Sequence, residues 1–210
     1  MNNLSHKLRL ALEEENADGK AHVEVEHVLY ARVVDFSALD KAASYEHQEQ
    51  WEIKLPKTDT NAGSFRIRIR KTVKPTGEIE YVQTTKTIDP RTKGNMEVSV
   101  PVTEDVFTQF KIGSDAGMMK DRYFFPVNDG SGLVYEVDMF FKPGAQPGSK
   151  EYHDWCKIDL EVPSLEMAMP PIPEGFTDII SAPFGKRTEQ EEARVTSLYH
   201  NEFRTKNVYL

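Results

Sequence analysis

The chain has a single cysteine, Cys156, in 210 residues. An intrachain disulfide framework is excluded, and so is any metal site built from several thiolates. Set between Trp155 and Lys157 in a strand-like run, Cys156 reads as a packing residue. No apolar run approaches the ~20 residues that carry a helix across a bilayer. The opening Met1-Asn2-Asn3-Leu4-Ser5-His6 lacks the basic-then-apolar order of a signal peptide. A cytoplasmic location without a membrane partner is therefore expected. Positive charge is also scarce overall: 26 Lys and Arg stand against 34 Asp and Glu, a net charge of -8. Such a chain does not coat a long nucleic acid, although a local basic surface remains open to it. The six histidines do not cluster at ligand spacing, and there is no internal repeat.

Against that acidic background one stretch stands out, Ser64-Phe65-Arg66-Ile67-Arg68-Ile69-Arg70-Lys71. Successive side chains of a strand point to opposite faces. Arg66, Arg68 and Arg70 then share one face, and Phe65, Ile67 and Ile69 share the other. An ordinary edge strand carries charge against aggregation. Three guanidiniums in a row also make a surface for an anion, because each planar fork matches phosphate or carboxylate oxygens.

The remaining pattern predicts an α+β protein with an antiparallel sheet or barrel. Residues 1–20 form an N-terminal helical extension, with helical spacing over 4–15, and residues 21–210 form a single domain. Strands are expected over 21–36, 51–55, 80–87, 96–100, 118–125, 133–141 and 155–162. A helix over 37–48 follows Ser37, and Thr103 caps a second one carrying Val106, Phe107 and Phe110. Residues 163–184 are proline-rich and read as an irregular wrap. The tail from Thr188 begins as a polar helix. Glu104-Asp105 falls in the first turn of the second helix, where negative charge meets the positive end of the dipole.

Several strands repeat one signature, with charged or polar side chains at i and i+2: Glu24/Glu26, Thr84/Lys86, Lys120/Arg122, Glu136/Asp138 and Asp159/Glu161. Pairs of both signs on one face imply an inward, charged surface, which is costly unless the charges meet one another or bound ions. Carboxylates suit a hard divalent cation, and Arg and Lys suit phosphates.

In this order the motifs resemble the CYTH domains, also called triphosphate tunnel metalloenzymes. The resemblance spans roughly residues 21 to 203. Glu24-Val25-Glu26 resembles the family's E-x-E-x-K strand, and Arg66 to Arg70 its paired-arginine strand. Thr84-Thr85-Lys86 resembles T-x-K, and Met96-Glu97-Val98 the acidic strand. Lys120-Asp121-Arg122 resembles K-x-R, Glu136-Val137-Asp138 resembles E-x-D, and Asp159-Leu160-Glu161 resembles E-x-E. The resemblance implies a closed antiparallel eight-stranded barrel whose tunnel binds a triphosphate with Mg²⁺ or Mn²⁺. It implies Glu24, Glu26, Glu97, Glu136, Asp138, Asp159 and Glu161 as metal ligands. Arg66, Arg68, Arg70, Lys86, Lys120 and Arg122 would hold phosphates, and Glu24, Glu26 and Lys86 would be catalytic. Val28 stands where the family carries a lysine, Asn95 precedes Glu97 in a strand that often has two glutamates, and Arg194 replaces a late glutamate. The implied function is metal-dependent hydrolysis of inorganic triphosphate or of a nucleotide or thiamine triphosphate. The alternatives are a non-catalytic nucleotide or polyphosphate binder and an adenylate cyclase of the same superfamily. The expected partner is the small-molecule triphosphate or nucleotide itself, and a homodimer is left open.

Overall fold

The computed structural model describes residues 22–53, 66–88, 95–114, 116–142, 144–145, 148–164, 166–181 and 186–206. The helix expected over 4–15 lies outside the described residues. Within them are eleven strands, nine of five residues or more, and two α-helices. Antiparallel pairing with few helices bears out the α+β reading. The elements fall into two compact units, Met1–Val25 with Gln48–Gly117 and Lys206–Leu210, and Glu26–His47 with Met118–Thr205.

In the first unit, β1 (His22–Glu24), β4 (Arg66–Val73), β5 (Ile79–Ile88) and β6 (Asn95–Pro101) pair antiparallel in the order β1-β6-β5-β4. The strand alternation sends Ile69 to the side opposite the arginines. There it joins Trp51, from β3 (Ser44–Ile53), and Phe107, with Tyr81, Val102 and Phe110 packed around them. Phe107 comes from α1 (Glu104–Ile112). This helix starts as expected, with Thr103 Oγ1 accepting from the Val106 amide at 3.4 Å and Glu104 and Asp105 in the first turn.

The second unit pairs β7 (Ala116–Pro126), β8 (Val134–Phe141), β9 (Tyr152–Glu161), β2 (Glu26–Val33) and β10 (Phe176–Ile180) in the order β7-β8-β9-β2-β10. One face carries the apolar core residues Leu29, Ala31, Val137, Met139, Cys156, Ile158 and Leu160, each at most 1% exposed. Burial pushes the Cys156 thiol pKa up, in keeping with the packing role. On the other face, Tyr30, Met118 and Phe140 pack with Val195, from α2 (Glu189–Ser197), and with Leu198 and Phe203. The Phe140 and Phe203 rings stack at 3.8 Å. A capping box starts α2, Thr188 and Glu191 exchanging side-chain-to-backbone bonds.

Four expectations are corrected here. The strand expected over 21–36 breaks at Val25, because the chain changes partner: β1 pairs with β6 and β2 with β9. The closed eight-stranded barrel is not found either, since each unit's run of paired strands ends on two different strands rather than on itself. The helix expected over 37–48 is a 3₁₀ turn at Phe36–Lys41 followed by β3. Residues 46 to 48 read as the end of a helix because Glu and Gln favour one, yet the alternation from there to the strand expected at 51 is that of a strand, with Glu46, Gln48 and Gln50 all buried. Finally, the proline-rich wrap contains β10, which pairs with β2.

Gly117 marks the tightest approach in the first unit. A Cβ there would lie 2.6 Å from the Gln50 carbonyl and from the Trp51 ring. Gly117→Ala is expected to destabilise the chain by about 1–3 kcal/mol, read as a lower urea midpoint at unchanged slope. An unshifted midpoint would show that Trp51 moves aside without cost.

Candidate functional site

The first unit builds the arginine face. Along β4 and β5, Arg66 lies opposite Lys86 and Arg68 opposite Thr84; along β5 and β6, Lys86 lies opposite Glu97 and Thr84 opposite Ser99. Two rows therefore cross the sheet, Arg66–Lys86–Glu97 and Arg68–Thr84–Ser99. Glu97, 7% exposed, accepts from Arg68 Nη2 at 3.0 Å, and its second oxygen pairs with the Lys86 ammonium. Ser99 Oγ donates to Glu97 Oε1 at 3.3 Å and lies 2.9 Å from Thr84 Oγ1. Arg68 Nε is buried with no hydrogen-bond partner among the described residues. Arg66 is exposed and Arg70 half-buried on the same face. Glu80, farther along, is taken by Lys74 at 2.5 Å. Arg66, Arg68, Arg70 and Lys86 thus share one sheet face, with Glu97 between Arg68 and Lys86, a local concentration of cations in an acidic chain.

The second unit places charges of both signs on one sheet face. Its register runs Tyr30–Lys157–Asp138–Arg122 in one row and Val28–Asp159–Glu136–Phe124 in the next, with Glu26 opposite Glu161. The Arg122 fork holds Asp138 through Nε at 2.6 Å and Nη2 at 2.9 Å, and its Nη1 pairs with Glu136. Lys120 also pairs with Asp138. Lys157 Nζ donates to Asp159 Oδ2 at 2.5 Å. Burial alone would raise the Asp138 carboxyl, but Arg122 and Lys120 hold it well below the usual carboxylate range. Burial likewise opposes the Lys157 ammonium, yet the Asp159, Glu26 and Asp138 carboxylates outweigh it and raise its pKa.

The expected site residues are thus divided. Arg66, Arg68, Arg70, Lys86 and Glu97 come together in the first unit, and Lys120, Arg122, Glu136, Asp138 and Asp159 in the second, with Glu26 opposite Glu161 there. Glu24 belongs to β1, opposite Asn95, and its side chain lies outside the described residues. Arg194 sits in α2 and pairs with Glu202 at 2.5 Å. Two site residues went unread in the sequence. Lys157 completes an alternating Lys157-x-Asp159-x-Glu161 stripe, and Ser99 extends Glu97 by the same period.

Among the described residues no three His, Cys, Asp or Glu side chains converge to hold a metal ion. Glu136 and Asp138 are engaged by Arg122 and Lys120. Asp159 Oδ1 is buried without a hydrogen-bond partner among the described residues, a single oxygen where a divalent cation needs several. These carboxylates do not by themselves fit Mg²⁺ or Mn²⁺.

No protein-family profile matches the chain, and no curated protein matches it. Among solved structures it is similar to NE1496 in two structures, with TM-scores of 0.46 and 0.44 and identities of 20% and 19%. These cover 80% and 73% of this chain and 97% and 88% of theirs, and one describes NE1496 as an inorganic triphosphatase. It is also similar to HpAC1 from Hippeastrum, named as a candidate adenylyl cyclase and described as having a dominant triphosphatase activity. That likeness has a TM-score of 0.42 at 12% identity, over 68% of this chain and 81% of that one. At such scores the fold and the site stand on this chain's own residues. No helix among the described residues is long and apolar enough to cross a membrane.

The buried Lys120 links this charged face to pH. Burial, then the neighbouring Arg122 guanidinium, lowers its pKa to about 7. The native chain sheds this proton near neutrality, whereas the unfolded chain keeps it into the ordinary lysine range. Its contribution to stability is therefore complete above the unfolded value, shrinks as pH falls and is gone near pH 7. Urea unfolding should show stability rising between pH 7 and 9 by up to about 1.4 kcal/mol per pH unit from this group. Lys120→Met should flatten that rise, and equal slopes in both proteins would refute it.

Proposed function

We propose that this chain binds a triphosphate, inorganic or carried by a nucleotide or thiamine, and hydrolyses it, as a divergent member of the CYTH superfamily. The observation that carries this reading is the sheet face that brings Arg66, Arg68, Arg70 and Lys86 together, with Glu97 between Arg68 and Lys86. Side chains at i and i+2 of a strand are about 7 Å apart. The three arginines therefore suit an elongated anion better than a compact one. Guanidinium forks would grip the outer oxygens bidentately, and Lys86 would place a point charge on the chain of phosphates. Thr84 and Ser99 supply hydroxyl donors between them. Phosphoryl transfer asks a protein mainly for positioning and charge neutralisation, and this face offers both. Mg²⁺ or Mn²⁺ belongs to the proposal as a companion of the ligand, since such ions are commonly held by substrate phosphates together with one or two carboxylates.

A second reading, binding without turnover, is favoured by one observation. Glu97, the carboxylate beside the arginines, is already engaged by Arg68 and Lys86. So engaged, it is not poised to position an attacking water.

Both readings are tested by calorimetry and phosphate release with tripolyphosphate, ATP and thiamine triphosphate, each with Mg²⁺, with Mn²⁺ and with chelator. Arg68→Gln and Arg70→Gln should each weaken tripolyphosphate binding about tenfold or more, as expected for a charge-assisted contact. Binding at full strength in both variants would sink the proposal. Phosphate release marks the enzyme, binding alone marks the second reading, and cyclic nucleotide formed from ATP would redirect both.

A further inference from the structure

The arginines take one face of the first unit's sheet, and the opposite face carries apolar side chains beyond those that α1 packs on. Alternation puts Ile67 and Ile69 of β4, Tyr81 of β5, and Met96, Val98 and Val100 of β6 on that face. At one end, α1 lies on β4 and β5, where Phe107 meets Ile69 and Trp51. Farther along, Ile67, Thr85 and Val98 stand side by side in one row, with Met96 next on β6. These four are half-buried, and none of them belongs to the cluster under α1. An apolar sheet face needs another element against it.

The register shows which part of the chain is delivered there. β1 ends the run of paired strands and lies antiparallel to β6, with His22 opposite Glu97 and Glu24 opposite Asn95. The chain therefore enters β1 from the Val100–Pro101 end of β6. Residues 1–21 lie outside the described residues. Their sequence sets Leu4, Leu8, Ala11 and Leu12 at i, i+4, i+7 and i+8, one apolar stripe of a helix, with His6 and Glu13 on the other side. A helix over 4–15 is about 18 Å long. The four strands β1, β6, β5 and β4 span about 14 Å between the outer two. Residues 16–21 reach about 20 Å when extended, enough to turn back over the sheet. The arginine face would meet the stripe with charges and hydroxyls, whereas the other face meets it with Ile67, Val98 and Met96.

We propose that residues 4–15 dock as a helix on the outer face of the first unit's own sheet, beside α1, with the Leu4–Leu8–Ala11–Leu12 stripe over Ile67, Thr85, Val98 and Met96. The occupant is this chain's own segment rather than a second copy, because the short link through residues 16–21 holds it at high local concentration beside the face. Ile67 lies between Arg66 and Arg68 on β4, so the docked segment backs the strand that presents the arginines. The inference does not depend on what those arginines bind.

The test uses the full chain with the photoreactive residue p-benzoylphenylalanine in place of Leu8 in one protein and of Glu13 in another. Mass spectrometry after irradiation and digestion maps the links. Position 8 should link within its own chain to peptides carrying residues 66–73 or 95–101, and position 13 should not. Links from position 8 to other parts of the chain overturn the proposal, as do equal links from both positions. Links only between two chains also overturn it and give the face to a second copy. Where position 8 gives no link, urea unfolding decides. Leu8→Gln should lower the midpoint and Glu13→Gln should leave it at the parent value, and equal midpoints in all three proteins overturn the proposal.

Discussion

Burying an ionised side chain costs several kcal/mol unless a partner charge meets it, and this constraint shapes both units. Asp138, Asp159 and Lys120 are nearly inaccessible, and Glu97 is close to that. Each is met by an opposite charge from a neighbouring strand or from two residues along its own. The antiparallel register makes this possible, because it sets the charged positions of adjacent strands directly across from one another. A slip of one residue would send every such side chain into the apolar layer. The ion pairs thus act on register as much as on stability.

The apolar layers complete that logic. Ile69 with Trp51 and Phe107 in the first unit, and Leu29, Val137, Ile158 and Leu160 in the second, fill the side the charges leave. At one end of the second unit's charged face, Phe203, Leu198 and Val195 pack onto Tyr30 and Phe140. Arg194 stacks on Trp155 at 4.8 Å there. The stretch resembling a late acidic motif is used in this chain as a helical cover.

Alternation made most of this legible. Period-two spacing located the arginine strand, its return strand and the charged pairs of β7, β8 and β9, because a two-faced strand leaves that trace in any context. Thr103 revealed one helix start through capping chemistry, and the polar run from Thr188 marked the other. What stayed hidden depends on partners distant in sequence. Nothing local at Val25 announces that the chain passes from β6 to β9. The polar face of β3 looked helical because Glu and Gln favour helices wherever packing does not decide. Lys157 was overshadowed by the acids beside it, although its spacing placed it on their face.

The two charged faces differ in balance, and this bears on chemistry. In the second unit, Arg122, Lys120 and Lys157 are bonded to Asp138, Glu136 and Asp159, so a ligand there would have to break good ion pairs before forming its own. In the first unit Arg66, Arg68 and Arg70 line one strand with Lys86 opposite Arg66, a run of cations whose forks suit an elongated anion. Sharing a sequence signature therefore does not make two strands equal as ligand sites. What separates them is how far the charges of each face are already spent on one another through good hydrogen-bonded pairs.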